Sequence, residues 1–201
     1  VKAKDLKISV CHDSWITSQR IKSNVISSLV SSGVTVYDCG LSSTPAMFMT
    51  TVDISCDAAI QITASHHPFD RNGLKFFLPQ GGLEGSDISE ILALASSDKK
   101  VNSKAQGVVI SKDFMSVYAK GLRDKIINGV KKGDKPLEGL HIIVDAGNGA
   151  GGFYAEKVLK PLGANIRGSL FLEPDGMFPN HIPNPENKQA MESICSAVKN
   201  S

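Results

Sequence analysis

The run Thr63-Ala64-Ser65-His66-His67-Pro68, followed by Asn72-Gly73-Leu74-Lys75, brings a hydroxyl, two imidazoles and an ammonium together just beyond the apolar stretch Cys56–Ala64. A serine hydroxyl can carry a transferable group, an imidazole can exchange a proton near neutral pH, and a lysine can balance an anion. Open α/β sheets bind ligands at such strand ends. Spacing alone favours a plain polar turn, because adjacent Ser65 and His66 do not by themselves fix a nucleophile–base geometry. Lys75 lies in the otherwise apolar GLKFFL. It reads either as a charge guarding an edge strand or as a counter-charge beside reacting oxygens. His66 reads as an anion ligand or proton carrier, or as a ring bonded within its own loop.

A second constellation, Gly147, Gly149 and Gly152, spells GxGxxG after the apolar HIIVDA, and Glu173 follows about 20 residues on, as a dinucleotide-binding fingerprint requires. By itself it points to a nicotinamide-dependent oxidoreductase. The preferred reading is a strand-to-helix turn whose glycines allow tight backbone geometry.

The elements that must position these groups alternate between strand-length and helix-length patterns, the mark of an α/β layered domain. Strands are expected at Leu6–Val10, Val34–Asp38, Cys56–Ala64 and Gly73–Leu78, with Asn72-Gly73 as a tight-turn signal between the last two. A helix is expected from Thr17 to Ser32, where Ile21, Val25, Ile26 and Leu29 form one stripe and Gly33 stops it. Another opens at Ser43 or Thr44, with Pro45 in its first turn. Helices are also expected at Ser86–Ala95 and Lys112–Ile127, with a loop over Ser96–Gly107. The charged, Pro- and Gly-containing run Val130–Gly139 reads as a linker, so a boundary is placed near residue 136. Beyond it follow a strand at HIIVDA, a helix from Gly152 to Leu162, a strand from Ile166 to Leu172 and a final helix in AMESICSAVKNS.

Apolar residues make up 41% and charged residues 21% of the 201-residue chain, which is the balance of a folded domain and not of a disordered one. Lys and Arg total 22 against 20 Asp and Glu, in scattered groups, so no electrostatic footprint for nucleic acid or an anionic membrane is present. No apolar run approaches the roughly 20 residues that cross a bilayer. Cys11, Cys39, Cys56 and Cys195 are far apart in sequence, without CxxC or zinc-finger spacing, and read as reduced thiols. A start at Val1 and an end inside an amphipathic helix suggest a piece of something longer.

TASHHP followed by NGLK resembles the phosphoserine loop of the α-D-phosphohexomutase superfamily, T-A/G-S-H-N-P followed by N-G-x-K. Further matches run along nearly the whole chain. VCHDSWITS (Val10–Ser18) lies over the family's VGRDxRxSG, and GLSSTPAM (Gly40–Met47) over its G-x-x-x-T-P. VDAGNGAGG (Val144–Gly152) lies over the opening of the second domain, and DGMFPNHIPNPEN (Asp175–Asn187) over DGxFPNHxPxPxxPEN.

The resemblance implies a mixed sheet flanked by helices, with domain 1 at 1–136 and the beginning of domain 2 at 137–201. It implies that the parent protein interconverts hexose 1-phosphate and hexose 6-phosphate through a phosphoserine at Ser65 and a hexose 1,6-bisphosphate. Lys75 and His66 would assist catalysis, and Thr63, His67 and Asn72 would contact substrate. Mg²⁺ would be held partly by the Ser65 phosphate, the family's D-x-D-x-D-R run being absent from this sequence. The fragment alone is expected not to turn over substrate. A cytoplasmic setting is expected, with a plastid as the alternative. The chain departs from the pattern at Cys11–Trp15, where G-R-D-x-R is expected, and at His67, where Asn is usual. Those departures are what a non-catalytic sugar-phosphate-binding homologue would show.

Overall fold

The computed structural model describes residues 5–67, 71–97 and 106–201. Contacts gather the chain into two compact units. One comprises residues 1–12, 17–63 and 73–112, and the other comprises residues 13–16, 64–72 and 113–201.

The first unit is built on a six-stranded mixed sheet. Its strands are β1 (Lys7–His12), β2 (Thr35–Leu41), β3 (Ala58–Ile62), β4 (Leu74–Leu78), β5 (Gly81–Gly82) and β6 (Val109–Ser111), in the order β5-β4-β3-β1-β2-β6. β1 runs parallel to β2 and β3, and β6 runs parallel to β2, while β4 and β5 are antiparallel to their neighbours. Alternation along the strands decides the layers. Val10, Val36 and Ile62 face α1 (Ser18–Ser31), which contributes Ile21, Val25, Ile26 and Leu29 as the stripe predicted. On the opposite face Ser9 Oγ meets Thr50 Oγ1 of α2 (Thr44–Asp53) at 2.5 Å. Ser43 caps α2 by accepting from the Ala46 N–H, and Pro45 sits in the first turn, where no N–H is missed. α3 (Gly85–Ala95) opens on a reciprocal capping box between Glu84 and Asp87. Both short strands escape sequence reading: β5 is two glycines and β6 is three residues long. Asn72-Gly73 makes no two-residue hairpin. Gly73 re-enters the ladder by accepting the Thr63 N–H, and a Cβ there would stand 3.2 Å from the Thr63 carbonyl oxygen. Most of the loop expected over 96–107 lies outside the described residues.

The second unit carries α4 (Phe114–Val130), a π-helix (Tyr154–Leu159) and α5 (Lys188–Lys199). α4 packs on the π-helix around Ala119, Val158 and Leu162, joined by Leu122, Ile126 and Phe153. The boundary expected near residue 136 follows α4 along the chain, whereas in the structure α4 is gathered with the residues after it. It ends at Val130, where Lys131 takes a left-handed φ of 57° as the stop. The strands expected at HIIVDA and at 166–172 form only two isolated parallel bridges, His141 with Asn165 and Asp145 with Leu170. The ladder breaks between them because the chain turns at Gly168 (φ 85°) and the Ser169 hydroxyl, not a backbone carbonyl, takes the Val144 N–H. The helix expected at Gly152–Leu162 is π-helical over its centre.

Candidate active site

β3 is buried through Thr63 and Ala64, and the chain surfaces abruptly at Ser65, His66 and His67, all exposed. Ser65 has φ 58°, a left-handed conformation uncommon for a residue with a Cβ and characteristic of positions where function tolerates strain. Its Oγ lies 3.3 Å from His66 Nδ1. The His67 N–H donates to the Ala64 carbonyl, closing the turn, and the two imidazoles stack with centroids 5.2 Å apart and planes 22° from parallel. The hydroxyl and ring nitrogen that sequence reading singled out therefore do share one turn.

Beside this turn lies an apolar hollow of about 360 Å³, lined by Trp15, His66, His67, Met177, Phe178, Ile182 and Pro183. Trp15 is 4% exposed and packs on Phe178 at 4.5 Å between centroids. The chain at Gly176 passes so close to Ser14–Ile16 that any Cβ would collide with their backbone. Met177 and Phe178 were not identified as lining residues from sequence. The available signal was their place in the quoted DGMFPNH segment and the aromatic at Trp15 where the family pattern has a charge.

Thr63 and Lys75 belong to the sheet. Thr63 is buried beside Gly73, and Lys75 is exposed on β4 opposite the buried Gln61 of β3. β5 pairs only with Phe77 and Leu78, so β4 is an outer strand at the level of Lys75. Asn72 is half-buried at the end of the loop. The structure thus brings Ser65, His66 and His67 into one turn, while Thr63 and Lys75 belong to the sheet of the first unit.

The glycine run is occupied by its own protein. A Cβ on Gly147 (φ 52°) would stand only 3.0 Å from His181 Cε1, and one on Gly152 would collide with the Leu172 carbonyl. The Gly147 N–H donates to Asp145 Oδ1, the Asn148 N–H to the Phe171 carbonyl and the Gly149 N–H to the Ala146 carbonyl. A phosphate-cradling loop must leave such N–H groups for its anion. Here the Gly147 and Gly149 N–H groups close the loop on itself, and the Asn148 N–H ties it to the 171–181 segment, as do Asn148 Nδ2 donating to the Glu173 carbonyl and Asn180 Nδ2 donating to Asn148 Oδ1. His181 Nε2 stands 3.0 Å from both Asp145 oxygens, the pair being almost wholly buried. These glycines serve the turn, as the preferred sequence reading holds.

A six-stranded mixed sheet with helices on both faces, and a serine in a left-handed turn at a strand exit, define an α/β fold with a candidate site at that exit. The chain matches the family models for phosphoglucomutase/phosphomannomutase alpha/beta/alpha domain I over residues 1–102 and domain II over residues 117–201. It therefore belongs to the phosphoglucomutase/phosphomannomutase family. A phosphoglucomutase of Neisseria gonorrhoeae is 34% identical over 194 residues, covering 96% of this chain and 40% of its own. A phosphomannomutase/phosphoglucomutase of Pseudomonas putida is 32% identical, with 96% and 39% covered. In fold, the chain resembles a crystal structure of a phosphoglucomutase/phosphomannomutase family protein from Burkholderia thailandensis at a TM-score of 0.77 and 23% identity, covering all of this chain and 45% of that one. The chain thus spans about 40% of the length of the curated relatives it matches.

Proposed function

We propose that Ser65 carries the transferable phosphoryl group of a hexose phosphate mutase, and that the intact protein interconverts hexose 1-phosphate and hexose 6-phosphate through a hexose 1,6-bisphosphate. The observation that carries the reading is the exposed Ser65 hydroxyl, held at φ 58° on the turn that leaves β3, beside His66 Nδ1. Phosphorylated Ser65 would pass its phosphoryl group to a free sugar hydroxyl. The Ser65 O–P bond breaks as the sugar O–P bond forms, and the hydroxyl proton passes to a nearby base. The bisphosphate then turns over and returns its other phosphate to Ser65. Phosphate-monoester chemistry is so slow unaided that positioning and charge neutralisation supply most of the acceleration. His66 is suited to proton transfer and Lys75 to neutralising charge, with Thr63, His67 and Asn72 assigned to substrate contact.

The family implies Mg²⁺, and a phosphoserine's charge of about −1.5 to −2 would help to hold it. Among the described residues, however, no group of three His, Cys, Asp or Glu side chains could hold a metal ion. The described residues alone do not constitute the Mg²⁺ site. No described helix is long and apolar enough to cross a membrane, and the four cysteines are free thiols. A cytoplasmic or plastid compartment suits that chemistry.

Trp15, buried against Phe178 where the family pattern has arginine, favours a second reading: a sugar-phosphate-binding homologue without turnover. Incubating the intact protein with glucose 1,6-bisphosphate and Mg²⁺ and measuring its mass separates the two. One added phosphate on Ser65, absent from Ser65→Ala, is the expected result. An unlabelled Ser65 in a protein that still binds hexose phosphate would establish the second reading instead.

A further inference from the structure

Cys11 and Cys39 are brought together by strand register. Asp38 points toward α1, where both its oxygens accept from Lys22 Nζ at 2.9 and 3.0 Å. Cys39, the next residue, accordingly points to the α2 face. Ser9 is on that same face, shown by its contact with Thr50, and Cys11, two residues on, shares it. Val10 pairs with Asp38 but Cys11 pairs with Gly40, so a bulge leaves Cys39 and Gly40 together opposite Cys11. Gly40 has φ 65°, and its N–H donates to Asp38 Oδ1, which pins the bulge; its missing Cβ leaves open space. Both cysteines are buried, at 0% and 6% exposure, with Cys39 Sγ donating to the Tyr37 carbonyl at 3.8 Å, and the two thiols are near enough for each to shift the other's titration. Neighbouring strands lie about 4.8 Å apart, within the span that a disulfide bridges between Cα atoms.

We propose that Cys11 and Cys39 form a reversible disulfide, a modification site that staples the exit of β1 to the bulge of β2. With hydrogen peroxide as oxidant, the Cys39 thiolate attacks one peroxide oxygen, the O–O bond breaks, hydroxide leaves and Cys39 becomes a sulfenic acid. The Cys11 sulfur then attacks the Cys39 sulfur. The S–O bond breaks, the Cys11 proton leaves with the departing oxygen as water, and the S–S bond forms. Two thiols are oxidised by two electrons in all, and the peroxide is reduced.

The order of attack follows from the surroundings. The neighbouring Cys11 side chain pulls the Cys39 thiol below its ordinary range, against burial and Asp38, with Lys112 and Lys22 adding positive charge. Cys11 is held well above its ordinary range by the same contact, by burial and by Asp38, so it keeps its proton. Cys56, pushed up to about 11 chiefly by burial, and exposed Cys195 are the internal controls. Cys11 occupies the position where the family pattern has glycine, so the pair is a feature of this chain and not of the motif it resembles.

The test is peptide mapping of the intact wild-type protein after graded peroxide. Trypsin leaves Cys39 and Cys56 on one peptide, Ser23–Arg71, so cleavage at Met47 and Met49 is needed to separate them. The expected product links the Cys11 and Cys39 peptides, lacks two hydrogen atoms and reverts with dithiothreitol. Cys11→Ala should instead stop at a dimedone-trappable sulfenic acid on Cys39. Should Cys39 remain alkylatable while Cys195 oxidises, or should Cys39 join Cys56 or a second molecule, the proposal is overturned. The mapping needs no variant to fold, and it stands apart from the phosphorylation of Ser65.

Discussion

Ser65 must meet two demands that pull against each other. Its hydroxyl is needed where the chain leaves β3, yet a φ of 58° suits glycine better than serine. Ser65→Gly should therefore keep or raise stability, by up to about 1 kcal/mol in urea unfolding, while losing all phosphate incorporation. A marked loss of stability would show that the turn is not strained by the serine. Trp15 poses a different question, whether the arginine of the family pattern could simply be restored. With Trp15 at 4% exposure against Phe178, an arginine would bring a guanidinium into an apolar setting. Trp15→Arg should cost about 3 kcal/mol or more and should not improve turnover. If it folds normally and binds hexose phosphate more tightly, the buried aromatic pair is dispensable.

At the scale of single elements, caps and close approaches hold the second unit in shape. Asp113 caps α4 by accepting from the Ser116 N–H at 3.1 Å and from its hydroxyl. The Ser116 side chain and backbone together hold the Asp113 carboxyl below its ordinary 3.8. Because the folded value is the lower, this contribution is present above the unfolded value and is lost as pH falls through the folded one. Asp113→Ala should cost about 1 kcal/mol at neutral pH, and the difference from wild type should shrink in melts taken near pH 3. Gly152→Ala should be more damaging, on the order of 2 kcal/mol or more, because its Cβ would strike the Leu172 carbonyl. Wild-type stability in that variant would show that the 171–173 backbone yields. The long amphipathic helices could be read from sequence because their stripe, cap and stop signals are local. β5, β6 and the broken strands of the second unit could not. Two or three residues carry no period, and the Ser169 hydroxyl that interrupts the ladder acts 25 positions away.

Across the whole molecule, two cores are closed by different means, one by the sheet under α1 and the other by α4 on the π-helix. Lys22 is buried in the first, paired with Asp38, and removing one partner of such a pair strands the other charge. Lys22→Ala should lower hydrogen-exchange protection in β1, β2 and α1 well before it changes α4, with a loss of about 3 kcal/mol for the first unit. Equal loss in both units would show that they unfold as one. By itself the sequence determined the family, the mixed α/β character and the candidates Ser65, His66 and Lys75, because motif letters, apolar period and capping residues act between near neighbours. Tertiary structure alone decided that Ser65 is strained, that Trp15 is buried on Phe178, that the glycine run binds its own backbone and that Cys11 meets Cys39. Each of those facts depends on register and packing between segments far apart in the chain, and no local pattern encodes which atoms will meet there.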